Sequence, residues 1–451
     1  MTTGCVTNAA LTSGSDLTGL NFTAGSAGTA YYVTVTANAS SGYLASGTSP
    51  VAGPQVDTSR VNAPGTPTGA SSGTTAGAVT ATFTASSGTA PTSYTAKACT
   101  DAAMTLNCVT QAAYSTGAQF TGLTQGTSYY LQIIANPPVG YASATSATSA
   151  GTVLATTQLN TPAAPTLTYG ATAGSINVVA TTNGPGGQTY TVKACTNLAM
   201  TTGCVTSASL VSGSDLTGLA FSQGAAGTAY YVTATANSSV GYLASGTSAP
   251  GGPQADTSRY NAPGTPTVAP SATTAGAVTA TFTAPSGVAP TSYSAAACTN
   301  AAMTTGCVTV SNYTSGAQLT GLTGGTSYWV QITAAPSSGF AASASGTSAS
   351  SALATSKLNA PTITNSSTAF GGTLSLTFTG SSNAPGGQTY TAVTCTDAAM
   401  TQNCVTVTNY TSGATISGLN QFTNYYATIT AVGSTGYLPT TSAVYGPRFV
   451  L

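Results

Sequence analysis

The sequence predicts an all-β fold: a linear tandem array of seven-stranded β-sandwiches, the first of them incomplete. Three observations predict it. Cysteines recur about every hundred residues, the size of one sandwich. Short runs alternate apolar with small polar residues, which is the two-residue period of a half-buried strand. Of the 451 residues, 41% are apolar and 3% are charged, a balance that folds where a charge-rich, apolar-poor chain stays disordered. A chain of this length exceeds what one core serves, so several domains are expected.

The period comes from the cysteines. Cys99 and Cys108, Cys195 and Cys204, Cys298 and Cys307, and Cys395 and Cys404 each stand nine positions apart. Second cysteines fall at 5, 108, 204, 307 and 404, in steps of 103, 96, 103 and 97. Asn62-Ala-Pro64, Asn160-Thr-Pro162, Asn261-Ala-Pro263 and Asn359-Ala-Pro361 follow the same beat. A larger unit of two domains sits above it, because Cys5 to Cys204 and Cys108 to Cys307 are both 199 and SGSDLTGL returns at 212–219. Asp16, Asp57 and Arg60 reappear as Asp215, Asp256 and Arg259. The array therefore reads as a partial A-type domain over 1–58, a B-type over 59–158, an A-type over 159–257, a B-type over 258–357 and a mixed fifth over 358–451.

Within the fourth unit, AVTATFTA at 277–284 and TSYSAAACT at 291–299 alternate as strands, and CVTVSNYTSGAQLTGL and SYWVQITAA follow between Gly, Ser and Asn turns. Seven short strands and no helix are expected in each full unit.

The stretch GAQFTGLTQGTSYYLQIIANPPVGYASATS at 117–146 resembles the second half of a fibronectin type III domain, an immunoglobulin-like sandwich, in the cysteine-containing style of secreted bacterial surface proteins. Leu123, Tyr129, Leu131, Ile133, Ala135, Asn136, Gly140 and Ser143 carry the likeness. Leu322 with Tyr328 and Leu419 with Tyr425 repeat its leucine and tyrosine pair, and across a longer loop so do Leu20 with Tyr31 and Leu219 with Tyr230. The family's core tryptophan is replaced by Phe83, Phe282 and Phe378, and by Ala180 in the third domain. The resemblance covers essentially the whole chain and implies a spacer or adhesive module.

All five methionines, Met1, Met104, Met200, Met303 and Met400, hold one position, four residues before a second cysteine. The first domain thus lacks its leading strands, and Cys5 is the odd one of nine, with no cysteine nine residues before it. The expectation is a piece of a longer secreted protein, with completion of the half-domain by another chain as the alternative.

Function narrows by exclusion. The six acidic residues are all Asp, and the chain has no Glu and no His, so no imidazole base, ligand or nucleophile pair can be built. No enzyme and no cofactor are expected. Six Lys plus Arg against six Asp leave no basic stripe for nucleic acid. No apolar run reaches the roughly 18 residues of a membrane span. Paired cysteines between adjacent strands predict disulfides, hence an extracellular or cell-surface location. The isolated loop aspartates Asp16, Asp101, Asp215 and Asp397 lack an EF-hand donor pattern, so no metal is expected.

Three roles remain. A nearly uncharged surface, with only Lys97, Lys193 and Lys357 to blunt strand edges, favours a self-associating polymer: a filament, sheath or surface layer. An outward aromatic per domain (Tyr32, Tyr130, Tyr231, Trp329, Tyr426) offers a contact for a neighbouring copy or a glycan. A passive spacer in a larger adhesin is the third role. A second aromatic set, Tyr43, Tyr141, Tyr242, Phe340 and Tyr437, reads as packing, and the linker pairs Asp57 with Arg60 and Asp256 with Arg259 are expected to orient the domain junctions.

Overall fold

The computed structural model describes residues 4–451, and among them there is no helix. Met1 lies outside the described residues. The chain groups into two compact units, one running to Thr166 with Val178–Ser214 and Tyr231–Gly252, the other comprising Leu167–Asn177, Asp215–Tyr230 and Pro253–Leu451.

In the first unit, Thr68–Ser71, Val79–Thr82 and Gln119–Phe120 form one antiparallel sheet in that order. The second sheet orders Val109–Gln111, Ser93–Cys99 and Ser128–Asn136, and its last strand is split into Ala144–Thr145 and Val153–Leu154. Strict alternation along Ser128–Asn136 buries Tyr129, Leu131, Ile133 and Ala135. These meet Val79, Phe120 and Tyr114 in the core, and the inward residues Ala81, Ala96 and Ala98 leave room for the rings. The same unit repeats the cysteine-bearing sheet in Thr189–Cys195, paired with Val205–Val211 and with the run to Ala236. Residues 4–58 carry a single pair, Ala30–Val33 with Ala52–Val56, and Leu11, Phe22, Val35 and Val56 are exposed.

The second unit follows the same plan twice. Thr267–Pro270, Val278–Thr281 and Gln318–Leu319 face Val308–Ser311, Tyr293–Cys298 and Ser327–Ala334, around Leu319, Val330 and Ile332. Thr362–Ala369, Thr373–Thr379 and Thr415–Ile416 face Val405–Val407, Tyr390–Cys395, Thr423–Ala431 and the closing Tyr445–Val450, around Leu374, Ile416 and Tyr425. The strand expected over 277–284 is shorter, ending at Thr281. There Phe282 leaves the ladder, its amide donating to Ser315 Oγ, so that its ring meets Tyr293 edge-on at 4.9 Å.

The connections are as ordered as the sheets. Thr156 donates its amide to Ala78 and its hydroxyl to Ser72 of its own sandwich, while the next residue, Thr157, donates to Gly241 beyond the junction. Thr257 and Ser258 divide in the same way between Ser175 and Gly339, and Thr355 and Ser356 between Ala277 and Gly436. Each linker then runs parallel to a hairpin strand: Ser59–Arg60 with Tyr141–Ala142, Thr157–Gln158 with Tyr242–Leu243, Ser258–Arg259 with Phe340–Ala341, and Ser356–Lys357 with Tyr437–Leu438. One residue per linker, Val61, Leu159, Tyr260 or Leu358, is buried immediately before the Asn-x-Pro phrase.

Candidate functional site

The outward aromatics stand in one place in the fold. In strand register Tyr130 lies opposite Cys99, Tyr231 opposite Cys195, Trp329 opposite Cys298 and Tyr426 opposite Cys395. Cross-strand neighbours share a face, so each half-buried ring flanks a disulfide: Cys99–Cys108, Cys195–Cys204, Cys298–Cys307 and Cys395–Cys404 are all formed. Tyr32, in the first domain, is 54% exposed, and no strand pairs with it on that side. Alternation along the strand foretold the outward direction. The cystine beside each ring needed the register.

Every disulfide closes a loop with the same internal wiring. Asp101 accepts the amides of Thr105 and Leu106 on Oδ1 and the Thr105 hydroxyl on Oδ2. Asp397 does the same for Thr401 and Gln402, and Asn197 and Asn300 accept the two matching amides. The methionine of each loop takes a left-handed backbone, φ 56° to 59°, that turns the chain toward its cysteine. Lys97 and Lys193 sit on central strands, and each donates its Nζ to a methionine carbonyl, Met104 or Met200. The expectation that these lysines guard sheet edges is corrected: they close the cysteine loops. The sulfurs of Cys99 and Cys108 and the carboxylate of Asp101 lie within 4.8 Å, but sulfurs joined in a disulfide offer no thiolate to a metal.

These loops carry a built-in comparison of charge. Hydrogen bonds, first from the Leu106 amide, hold the exposed Asp101 carboxyl below its ordinary range, and the Gln402 amide does so for Asp397. A lowered carboxyl stabilises the fold above its ordinary pKa and loses that contribution as pH falls through the lowered value. Acid is therefore expected to loosen the loops at 99–108 and 395–404 before those at 195–204 and 298–307, where Asn does the same work without a charge. Amide hydrogen exchange of Thr105 and Thr401 against Thr201 and Thr304 between neutral pH and pH 2 checks this. Asp101→Asn should abolish the difference, and equal protection in all four loops would refute it.

The linker aspartates do not pair with their arginines. Asp256 is fully buried. Its Oδ1 accepts the Thr228 amide, its own amide donates to the Thr228 carbonyl, and its Oδ2 has no hydrogen-bond partner. Asp57 makes the same reciprocal bonds with Thr29. Glycine is required alongside: a Cβ at Gly28 would lie 2.2 Å from Asp57 O, and one at Gly227 2.0 Å from Asp256 O. Burial pushes the Asp256 carboxyl up. Arg60 and Arg259 are exposed, and it is their carbonyls that are used, accepting the amides of Gly25 and Gly224. The aspartates thus lock the strand end before the linker. A side chain as short as Asp reaches the nearby amide before it reaches a solvated guanidinium.

Four of the five aromatics expected to pack build the junctions; the fifth, Tyr43, is 77% exposed, which corrects that expectation for it. Tyr141, Tyr242, Phe340 and Tyr437 begin the hairpin strands that receive the linkers, and Phe340 stacks on Tyr260 at 4.6 Å. Leucine and tyrosine pairs meet as hydroxyl to backbone: Tyr129 accepts the amide of Thr124, Tyr328 that of Thr323, Tyr425 that of Asn420 and Tyr230 that of Ala220. Asn237 is tied inward, its Nδ2 donating to Thr189 Oγ1 and Ala208 O.

Sequence reading missed a second tyrosine set, Tyr114, Tyr313 and Tyr410. Each ring is buried in its core, with the hydroxyl accepting the amide of Ala81, Ala280 or Leu376 on the opposite sheet. Their signal was the recurring Tyr-[Ser/Thr]-[Ser/Thr]-Gly phrase, which lies within the segment CVTVSNYTSGAQLTGL of the fourth unit.

No protein-family model matches the chain, and no curated protein matches it. Among solved structures it is similar to the chicken CNTN1 FN1–FN3 domains, with 15% identity, a TM-score of 0.30, and coverage of 64% of this chain and 99% of that one.

Proposed function

We propose that this chain is a non-catalytic extracellular structural protein, a self-associating subunit of a filament, sheath or surface layer. The observation that carries the reading is the junction: successive residues, 156 and 157, 257 and 258, 355 and 356, are hydrogen-bonded to opposite sandwiches, so no slack residue lies between them. Flexible tethers are built from unbonded Gly and Ser linkers, whereas these junctions are hydrogen-bonded on both sides. Four disulfides support an oxidising location. No helix among the described residues is long and apolar enough to cross a membrane. With six cations and six anions on 451 residues, copies repel one another little.

A contact of stated chemistry supports self-association. Phe422 is 70% exposed and stands at φ 60°, a conformation that the corresponding turns give to Gly126 and Gly325. A bulky side chain held there carries backbone strain that a glycine avoids. Phe449 lies 6.4 Å from it and is also exposed. Two neighbouring solvent-facing phenyl rings, one kept against its backbone preference, suit an apolar contact with another copy.

Electron microscopy and sedimentation of the unreduced chain test the reading. Filaments or concentration-dependent association are expected, weakened by Phe422→Gly, which also relieves the turn and leaves the folded domain intact. Tyr130→Ala with Trp329→Ala reports separately on the aromatic row. Chains that stay monomeric at high concentration would sink the polymer reading and favour the spacer, and a glycan array would then decide whether the rings bind sugar.

A further inference from the structure

Two internal junctions are made by the same pair of surfaces, a glycine-tipped hairpin of the following sandwich and an apolar residue on the closing strand of the preceding one. Gly241 sits on Leu154 and Gly436 on Leu353, so closely that a Cβ on either glycine would lie 2.9 Å from the leucine Cδ2. At the junction between them Gly339 meets Tyr169 instead. Each of the two surfaces occurs once more on this chain, uncovered by any described residue.

The first sandwich carries the hairpin. Ser40 and Tyr43 bridge as Ser239 and Tyr242 and Ser434 and Tyr437 do, and Gly42 turns at φ 85° where Gly241 and Gly436 turn at 80° and 82°. In the docked hairpins the residue after the tyrosine, Leu243 or Leu438, is half-buried and pairs with the linker. Its counterpart Leu44 is 95% exposed, Tyr43 is exposed beside it, and a Cβ on Gly42 would meet nothing within 4 Å.

The fifth sandwich carries the surface that receives it. The amides of Gly126 and Gly325 donate to Ala155 and Ala354, and in the fifth sandwich the Phe422 amide donates to Val450. The residue before that acceptor is Leu154, Leu353 or Phe449, so Phe449 holds the slot that a hairpin covers in the second and fourth sandwiches. In the fifth it is exposed, with Phe422 at its side. Phe370, 82% exposed, precedes Gly372 by two residues, and the Gly372 amide donates to Leu451 at this same end. Gly77, Gly174 and Gly276 are the counterparts of Gly372, each accepting a leucine amide as it does, and two residues before them stand Thr75, Thr172 and Thr274. Three of the chain's ten phenylalanines thus gather on one solvent-facing end, and a contiguous apolar patch of that kind marks a protein contact.

We infer that hairpin 40–44 of one copy docks on the phenylalanine end of the fifth sandwich of a second copy, repeating between chains the contact that joins sandwiches within one. The inference rests on the self-association proposed above and names its surfaces. Glycine at the hairpin tip lets the backbone approach the rings, and Tyr43 and Leu44 cover them. Because the two surfaces differ, the contact is head-to-tail, and any assembly that does not close into a ring keeps one hairpin and one phenylalanine end open for further copies.

Sedimentation velocity of the full, unreduced chain tests it. Leu44→Asp and Phe449→Asp are each expected to weaken association at least tenfold. Mixed together, the two variants should form a one-to-one dimer and nothing larger, because the first keeps the phenylalanine end and the second keeps the hairpin. Leu44 buries almost nothing in its own sandwich, so its variant gives a sound reading even should Phe449→Asp fold poorly. A benzophenone photo-cross-linker in place of Tyr43, in a mixture of isotopically light and heavy chains, should join the two isotopes through the stretch 420–450. Wild-type chains that associate while Leu44→Asp associates equally, or cross-links that end on another face, would put a different occupant on these surfaces and overturn the docking, with self-association left standing. Wild-type chains that stay monomeric would overturn both.

Discussion

Tyr313→Ala is expected to destabilise the fourth sandwich by about 3–5 kcal/mol, the range for removing a large buried aromatic side chain. Tyr313→Phe, which removes one oxygen atom, should cost about 1–3 kcal/mol. The hydroxyl accepts the Ala280 amide at 2.9 Å and faces the carbonyls of Ala280 and Ala317 at 2.9 and 2.5 Å, all of them away from water. Phenylalanine preserves the packing and strands the amide, so the difference between the two variants separates packing from hydrogen bonding. Urea unfolding followed by the fluorescence of Trp329, the one tryptophan, reads this sandwich selectively. A Tyr313→Phe curve superimposable on the wild type would show that the hydroxyl contributes nothing. Burial also raises the Tyr313 hydroxyl pKa. Stability from the neutral hydroxyl is complete below the ordinary tyrosine range near pH 10 and is lost as pH rises through the raised value.

Removing one disulfide is the second large effect. Cys298→Ala with Cys307→Ala should lower the stability of the fourth sandwich by about 2–3 kcal/mol, since the bridge closes a nine-residue separation. Reductant should shift the wild-type transition by the same amount and leave the double variant unmoved. The effect is placed where Trp329 lies opposite Cys298, so the same fluorescence reports on it. Were reductant to change nothing in the wild type, the Asn300 hydrogen bonds would be sufficient to hold the loop and the bridge would be redundant.

The fold was legible where the determining interactions are local or strictly periodic. A strand displays its buried face every second residue, so Tyr129, Leu131 and Ile133 announced the core, and Tyr130 its outward direction, before any coordinates. The nine-residue cysteine separation told of the loops, and the missing phenylalanine at Ala180 was visible by comparing repeats. Pairing Asp57 with Arg60 and Asp256 with Arg259 went wrong for a physical reason. Sequence proximity favours an ion pair, yet an exposed pair contributes about 0–1 kcal/mol, and the chain instead brings the amides of Thr29 and Thr228 to those carboxylates from 28 residues away.

By itself the sequence determined the repeat length, the β character, the cysteine loops and the exclusion of imidazole chemistry, because each follows from composition or from spacings shorter than one domain. Only the tertiary structure decided which backbone groups the buried tyrosine hydroxyls serve and that the linkers pair in parallel with the hairpins of the following sandwich. Those outcomes depend on residues dozens of positions apart being brought within 3 Å, and a hydrogen bond has no value until both partners have been placed.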